Sequence, residues 1–254
     1  ITEDSFSDGG LFLNKEAAIE QARFLRSSGA NSIDLGAASS HPDSAEIPAI
    51  KEIERLGPVI SALQKEGFSL SVDSWKPEVQ HFAIRAGVDF LNDVQGFADP
   101  TLYPELCLFP GRLIVMHSLR GRGRAGRENV DPAGVTEHAL RFFAERLRIL
   151  LTNGIKAEKL ILDPGMGFFL STDPLASIEM IRNIKYLKDE FRMPVLISVS
   201  RKSFLGQLTG RTVDRRGAAT LTAEILAALE GADFIRTHDV AALSDAMQIL
   251  KVFR

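Results

Sequence analysis

The chain has 254 residues, with 30 Lys and Arg against 33 Asp and Glu, a formal charge of −3 and 45% hydrophobic residues. This slight acidity gives no support for nucleic acid as the main partner, and no apolar run approaches the roughly 18 residues of a membrane span. The single cysteine, Cys107, excludes an internal disulfide and fits a reducing compartment, the cytoplasm.

The first residues, Ile1-Thr-Glu-Asp4, are neither a signal peptide nor a natural start, and they read as a chain cut just inside its first strand. The polar, glycine-ended stretch from Thr2 to Gly10 then reads as a mobile loop. From there one pattern recurs: a helix-like stretch, a glycine, a short apolar strand and a polar residue. It runs through Gly29 to Asp34, Gly67 to Asp73, Gly87 to Asn92, Gly154 to Asp163 and Gly231 to Arg236. Each glycine is expected at a helix C-cap, where a left-handed conformation is needed. Two further strands, Leu113–Met116 and Val195–Val199, run into His117 and Ser200. Amphipathic helices are expected over 15–27, 46–66, 77–86, 132–152, 174–191, 217–229 and 241–252.

Strict β-α alternation implies a parallel sheet. Seven strands, plus a first one mostly lost ahead of Ile1, predict a single-domain (β/α)8 barrel over residues 1–254, with an open doubly wound sheet as the alternative. Barrel sites lie at the carboxyl ends of the strands. Asp34, Asp73, Asn92, Asp93, His117, Asp163, Ser200, Arg201, Lys202, Arg236 and His238 all fall there and read as one site.

Within that ring Asp163 ends an apolar strand that Pro164 and Gly165 break at once, beside Met166, Phe168 and Phe169. A carboxylate so placed suits a flat, partly apolar ligand with adjacent N–H donors. Asp73, Asn92 and Asp163 together can read the edge of a nitrogen heterocycle. Magnesium held by three acids, or acids that only cap helices, are the alternatives. Ser200-Arg-Lys-Ser203 and Arg236-Thr-His238 end the last two strands, where barrels bind phosphate, and a helix follows Ser203. The alternative is that Arg201 or Arg236 pairs with a neighbouring acid and braces the rim. The loops over 2–10 and 35–43 can fold over the site as lids, and Arg120 to Arg127 is read as a solvated loop. His81 and His138 read as surface residues, and Cys107 as a packing residue.

These residues carry a resemblance over essentially the whole chain. Asp4-Ser-Phe-Ser-Asp-Gly-Gly10, Ile33-Asp-Leu-Gly36, Val72-Asp-Ser74, Leu91-Asn-Asp-Val94, Leu162-Asp-Pro-Gly165, Ser200-Arg-Lys-Ser203 and Ile235-Arg-Thr-His238 resemble the dihydropteroate synthases, in that family's order. The resemblance implies transfer of a pterinylmethyl group from 6-hydroxymethyl-7,8-dihydropterin pyrophosphate to p-aminobenzoate, releasing pyrophosphate, in a homodimer using magnesium. It assigns the pterin to Asp73, Asn92, Asp163 and Lys202, and the pyrophosphate to Ser40, Arg236 and His238. It places Ser203 where the p-aminobenzoate carboxylate docks; Phe168, Phe169 and His41 are read here as lining the outer end of that slot, and catalysis is assigned to Asp73, Lys202 and Arg236. The magnesium ligand, an asparagine in the family, would lie just before Ile1.

The chain also departs from the family pattern. Ser39-Ser-His-Pro42 stands where the family has Ser-Thr-Arg-Pro, and Met166-Gly-Phe-Phe-Leu170 where it has Phe-Gly-Phe-Gly-Lys. With Phe204, these changes resemble the acquired, sulfonamide-insensitive branch. The rival readings are a Schiff-base aldolase using Lys202, a methyltetrahydrofolate-binding methyltransferase domain, and a pterin-binding module without turnover.

Overall fold

A computed structural model describes residues 14–39, 47–119, 125 and 127–253. The expectations for Thr2 to Gly10, Ser40, His41 and most of the 120–127 loop therefore lie outside the described residues.

The alternation expected from the sequence is present. Helix α1 (Lys15–Ser27) starts behind Asn14, whose side chain accepts from the Glu16 N–H at 2.7 Å, a cap worth about 1 kcal/mol. It leads to β1 (Ile33–Gly36), followed by α2 (Ala49–Lys65), β2 (Leu70–Asp73), α3 (Pro77–Ala86) and β3 (Phe90–Asp93). Gly87 closes α3 at φ 74, and the other four glycines of the repeat also have positive φ. The chain continues with α4 (Tyr103–Leu108), β4 (Arg112–Met116), α5 (Val135–Thr152), β5 (Leu160–Asp163), α6 (Pro174–Arg182) and α7 (Ile184–Phe191). It ends with β6 (Leu196–Ile197), α8 (Ser203–Thr209), α9 (Gly217–Leu229), β7 (Phe234–Ile235) and α10 (Val240–Phe253).

Three details differ from expectation. The helix expected over 174–191 is two helices, because Asn183 turns its side-chain amide back to the Glu179 carbonyl and carboxylate, at 2.8 and 2.9 Å, and ends α6. Helix α4 was not foreseen, although Asp99-Pro100 ahead of it carries the same start signal as Asp131-Pro132 and Asp173-Pro174. In all three the Asp side chain accepts a backbone N–H two residues on. The stretch over 132–134 is a short 3-10 turn, so α5 proper begins at Val135.

All strand pairs are parallel. β1 to β5 are hydrogen-bonded in sequence order and β6 pairs with β7. A bridge between Leu162 and Val195, with the Leu162 N–H on the Pro194 carbonyl at 2.9 Å, joins the two groups. The wall then curls into a barrel. Phe90 of β3 meets Phe234 of β7 edge-on, 6.5 Å between centroids, and Arg236 past β7 reaches acids of β1 and β2.

Strand residues alternate between two sides. Ile33, Leu35, Leu70, Val72, Leu91, Leu113, Val115, Leu160 and Leu162 face the helices and join the main core. Ile114, Ile161 and Leu196, with Phe90 and Phe234, form a separate cluster inside the barrel. That inner layer closes the bottom beneath a polar mouth. Among the described residues no helix is long and apolar enough to cross a membrane.

Candidate functional site

The alternation decides which strand-end residues face the mouth. Asp73 pairs in register with Asn92, and Met116 with Asp163. Asn92 and Asp163 therefore share the inner side with Asp73, while Asp93 and His117 face outward. The Asp93 carboxylate accepts from the backbone of Gln95 and Phe97 and from the Gln80 side chain, so it braces its own loop. Burial pushes this carboxyl up to about 6. The buried His117 ring sits against Phe142, with Nδ1 2.9 Å from the Pro164 carbonyl. A carbonyl only accepts, so Nδ1 carries the proton, and burial lowers the ring to about 4, keeping it neutral. Both residues were grouped with the site from sequence, and both serve its scaffold.

Asp163 is 1% exposed. Its Oδ1 accepts from the Gly165 N–H at 2.8 Å, whereas Oδ2 has no partner among the described residues. Asn92 is also 1% exposed, and its Oδ1 likewise has no partner among the described residues. Two buried acceptors without donors are costly unless a ligand supplies N–H groups. Burial raises the Asp163 carboxyl above the usual range, against the pull of Arg236, the Gly165 N–H and Lys202.

The turn after Asp163 packs tightly. Gly165, at φ 74, has no room for a side chain, since a Cβ would lie 2.6 Å from the His117 carbonyl oxygen. The Gly167 N–H donates to the buried Ser177 hydroxyl at 2.9 Å, and a Cβ on Gly167 would meet Ser203 and Lys202. Ser203 and Lys202 thus stand beside the Asp163 turn. Lys202 Nζ lies 5.0 Å over the Phe169 ring, and burial lowers this amine to about 8. Phe169 itself is buried with Val94, Met116 and Ala125, while Phe168 is only partly covered. Leu170 and Phe204, singled out as departures from the family pattern, lie in the main core as packing residues.

Arg236 is the hub of the opposite side. Its Nη1 lies 2.7 Å from Asp34 Oδ2 and 2.9 Å from Asp73 Oδ2, and Nε reaches Ser198 Oγ at 3.3 Å. This is the acid-pairing arrangement weighed as the alternative to an anion site. An anion-binding role is compatible with this pairing, because Nη2 takes no part in these bonds. Burial works against the charge, but Asp34, Asp73 and Asp163 outweigh it and keep the guanidinium ionised. Burial pushes the Asp73 carboxyl up to about 7, with Arg236 pulling it down and Asp34 pushing it up. His238 follows, its backbone N–H on Ser200 Oγ at 3.1 Å and Nδ1 2.8 Å from the same oxygen.

Beneath Asp73, the buried Glu52 accepts from Ser74 Oγ at 3.0 Å and pairs with Lys76 at 2.6 Å, tying the loop after β2 to α2. Ser198 and Ser177 were missed from sequence. Ser198 was legible, lying two residues past Leu196 on the same side of the strand; Ser177, on a helix, carried no signal. Among the described residues no three His, Cys, Asp or Glu side chains gather as a metal site would require, and Asp34 and Asp73 are occupied by Arg236. The described residues alone do not make a magnesium site.

A family model described as pterin binding enzyme matches residues 1–238. The type-3 dihydropteroate synthase of Escherichia coli is 50% identical over 251 residues, covering 99% of this chain and 95% of that protein. The chain belongs to the dihydropteroate synthases. A Yersinia pestis dihydropteroate synthase solved with a sulfonamide drug superposes with a TM-score of 0.90 at 31% identity, covering 100% of this chain and 91% of that one. A Xanthomonas albilineans dihydropteroate synthase with 4-aminobenzoic acid superposes with a TM-score of 0.89 at 34% identity, covering 100% and 90%. These relatives favour the synthase reading over the methyltransferase one.

Proposed function

We propose that the chain joins 6-hydroxymethyl-7,8-dihydropterin pyrophosphate to p-aminobenzoate, forming 7,8-dihydropteroate and releasing pyrophosphate. The observation that carries this is a pair of buried acceptors, Asp163 Oδ2 and Asn92 Oδ1, that have no donor among the described residues. A pterin presents a lactam N–H beside an exocyclic amine, which answers both. Asp73 and Lys202 complete the pocket. The Lys202 stem and Phe169 offer the ring an apolar face.

Arg236 and His238 receive the pyrophosphate, through the guanidinium edge that its acids leave unused. As the C–O bond to the pyrophosphate breaks, its electrons pass to the departing oxygen, where the cations meet the growing charge. The aniline nitrogen then forms the new C–N bond and sheds its proton to solvent. Ser203, beside the Asp163 turn, receives the aminobenzoate carboxylate in this reading. No protein nucleophile is required.

Magnesium is read as a counter-ion arriving with the pyrophosphate; chelation should abolish turnover and added magnesium restore it. A homodimer in the cytoplasm, and insensitivity to sulfonamides through Phe168 at the rim, belong to the same reading. Sedimentation tests the dimer. The deciding assay is pyrophosphate release that needs both substrates; pterin binding without release would make the chain a sequestering module.

A further inference from the structure

The turn that presents Lys202 and Ser203 adopts a conformation its own residues disfavour. Arg201 sits at φ 57, in the left-handed region that side chains other than Gly, Asn and Asp rarely enter. Groups far along the chain hold it there. The Arg201 N–H donates to Oγ1 of Thr220, a buried residue in the first turns of α9, at 3.0 Å. Arg216, just before α9, donates from Nη1 to the Arg201 carbonyl at 2.8 Å and to the Lys202 carbonyl at 3.3 Å. Both faces of residue 201 are therefore gripped from one helix end.

The guanidinium has a slot made for it. A Cβ on Gly206 of α8 would lie 2.3 to 2.5 Å from Arg216 Nη2, Cζ and Nε. Gly206 has no left-handed φ, so it is needed for space and not for backbone freedom. Among the described residues Arg216 bonds to main-chain carbonyls, the third being that of Arg211 at 3.2 Å. It was not among the expected site residues, and those bonds are of no use to a surface arginine.

We propose that Arg216 and Thr220 are positioning residues for the transfer reaction: they lock the 200–203 turn so that the Lys202 ammonium and the Ser203 hydroxyl stay aimed at the mouth, with Gly206 supplying the space. The kinetic side of this inference rests on the synthase reading. A residue strained into place by bonds from another helix persists only while those bonds hold it. Losing either grip should let Arg201 relax and Lys202 drift from Phe169.

The test compares Thr220→Ser, Thr220→Val, Arg216→Ala, Gly206→Ala and the Gly206→Ala/Arg216→Ala pair in the full chain. Thr220→Ser keeps the accepting oxygen and should retain parental kinetics. Thr220→Val keeps the shape, and should raise KM for both substrates about tenfold with Tm little changed. Its pH profile should also move. The groups facing Lys202 are Asp73, Asp163 and Arg236, all intact in the variant. A loosened Lys202 regains water, so the alkaline limb of kcat/KM should shift upward from about pH 8. Gly206→Ala should reproduce Arg216→Ala, and the double variant should be no worse than Arg216→Ala alone. KM values and an alkaline limb that stay parental in Thr220→Val would overturn the proposal, as would a Thr220→Ser variant equally damaged. If the parent chain releases no pyrophosphate, the synthase reading fails by itself, and positioning is then judged by pterin affinity across the same variants.

Discussion

Asp163→Asn isolates the contact on which the pterin reading depends. Oδ1 holds the Gly165 N–H at 2.8 Å while Oδ2 is buried with no partner among the described residues. The amide can keep the first bond through its oxygen, which leaves its NH2 where Oδ2 was, facing the N–H groups of the ligand. One charge-assisted bond is lost and two donors are opposed, for about 2–4 kcal/mol in all. That is roughly thirty- to several-hundredfold in the dissociation constant of hydroxymethyl pterin. Folded stability should move the other way. Burial raises this carboxyl, so the folded state holds the proton more firmly than the unfolded one. Its contribution therefore falls as pH climbs from the ordinary carboxylate range through the raised value. Asn removes that fall, and the variant should be at least as stable as the parent at pH 8. Calorimetry with hydroxymethyl pterin and with p-aminobenzoate, beside denaturant melts, reads all of this. An unchanged pterin affinity, or an equal loss for aminobenzoate, would refute the assignment.

Arg236→Ala should weaken the pyrophosphate-bearing pterin at least tenfold more than the bare hydroxymethyl pterin in calorimetric titrations; equal losses would remove its anion role. Glu224, buried on α9 and raised by burial to about 7, should make the chain less stable as pH rises from about 4.5 through 7. Glu224→Gln should flatten that slope, by at most about 3 kcal/mol, in melts across the range. Phe168→Ala should lower the sulfamethoxazole concentration for half-inhibition about tenfold, with the KM for p-aminobenzoate little changed, since Phe168 is the partly covered member of its pair. Phe169→Gly should instead cost about 3–5 kcal/mol of stability, because that ring fills space beside Val94 and Met116.

The recurring glycine was enough to place β1, β2, β3, β5 and β7 and the C-terminal ends of α1, α3 and α9, because a left-handed cap is a local demand that a local residue must meet. The site was legible for the same reason: a polar residue ending an apolar strand is visible in a window of six. What alternation along the strand also offered was a way to sort the ring. Asn92 facing in means Asp93 facing out, and Met116 in means His117 out. The supports were illegible. Thr220 and Arg216 act on Arg201 across fifteen or more positions, and nothing near either residue announces its partner. Asn183 looked like any polar residue within a helix, and only its turn toward Glu179 ends α6.

An arginine shared by two carboxylates is not a vacant receptor. With Asp34 and Asp73 both within 3 Å of one nitrogen, a diphosphate taking the proposed remaining edge would bring a further anion to a guanidinium that already holds two. Asp73, poised at about 7, is the partner that can withdraw by taking up a proton. Occupancy by the substrate's anionic tail should therefore consume protons from the buffer and tighten as the solution is acidified toward neutrality and just below. Calorimetric heats that vary with the ionisation enthalpy of the buffer would count those protons directly.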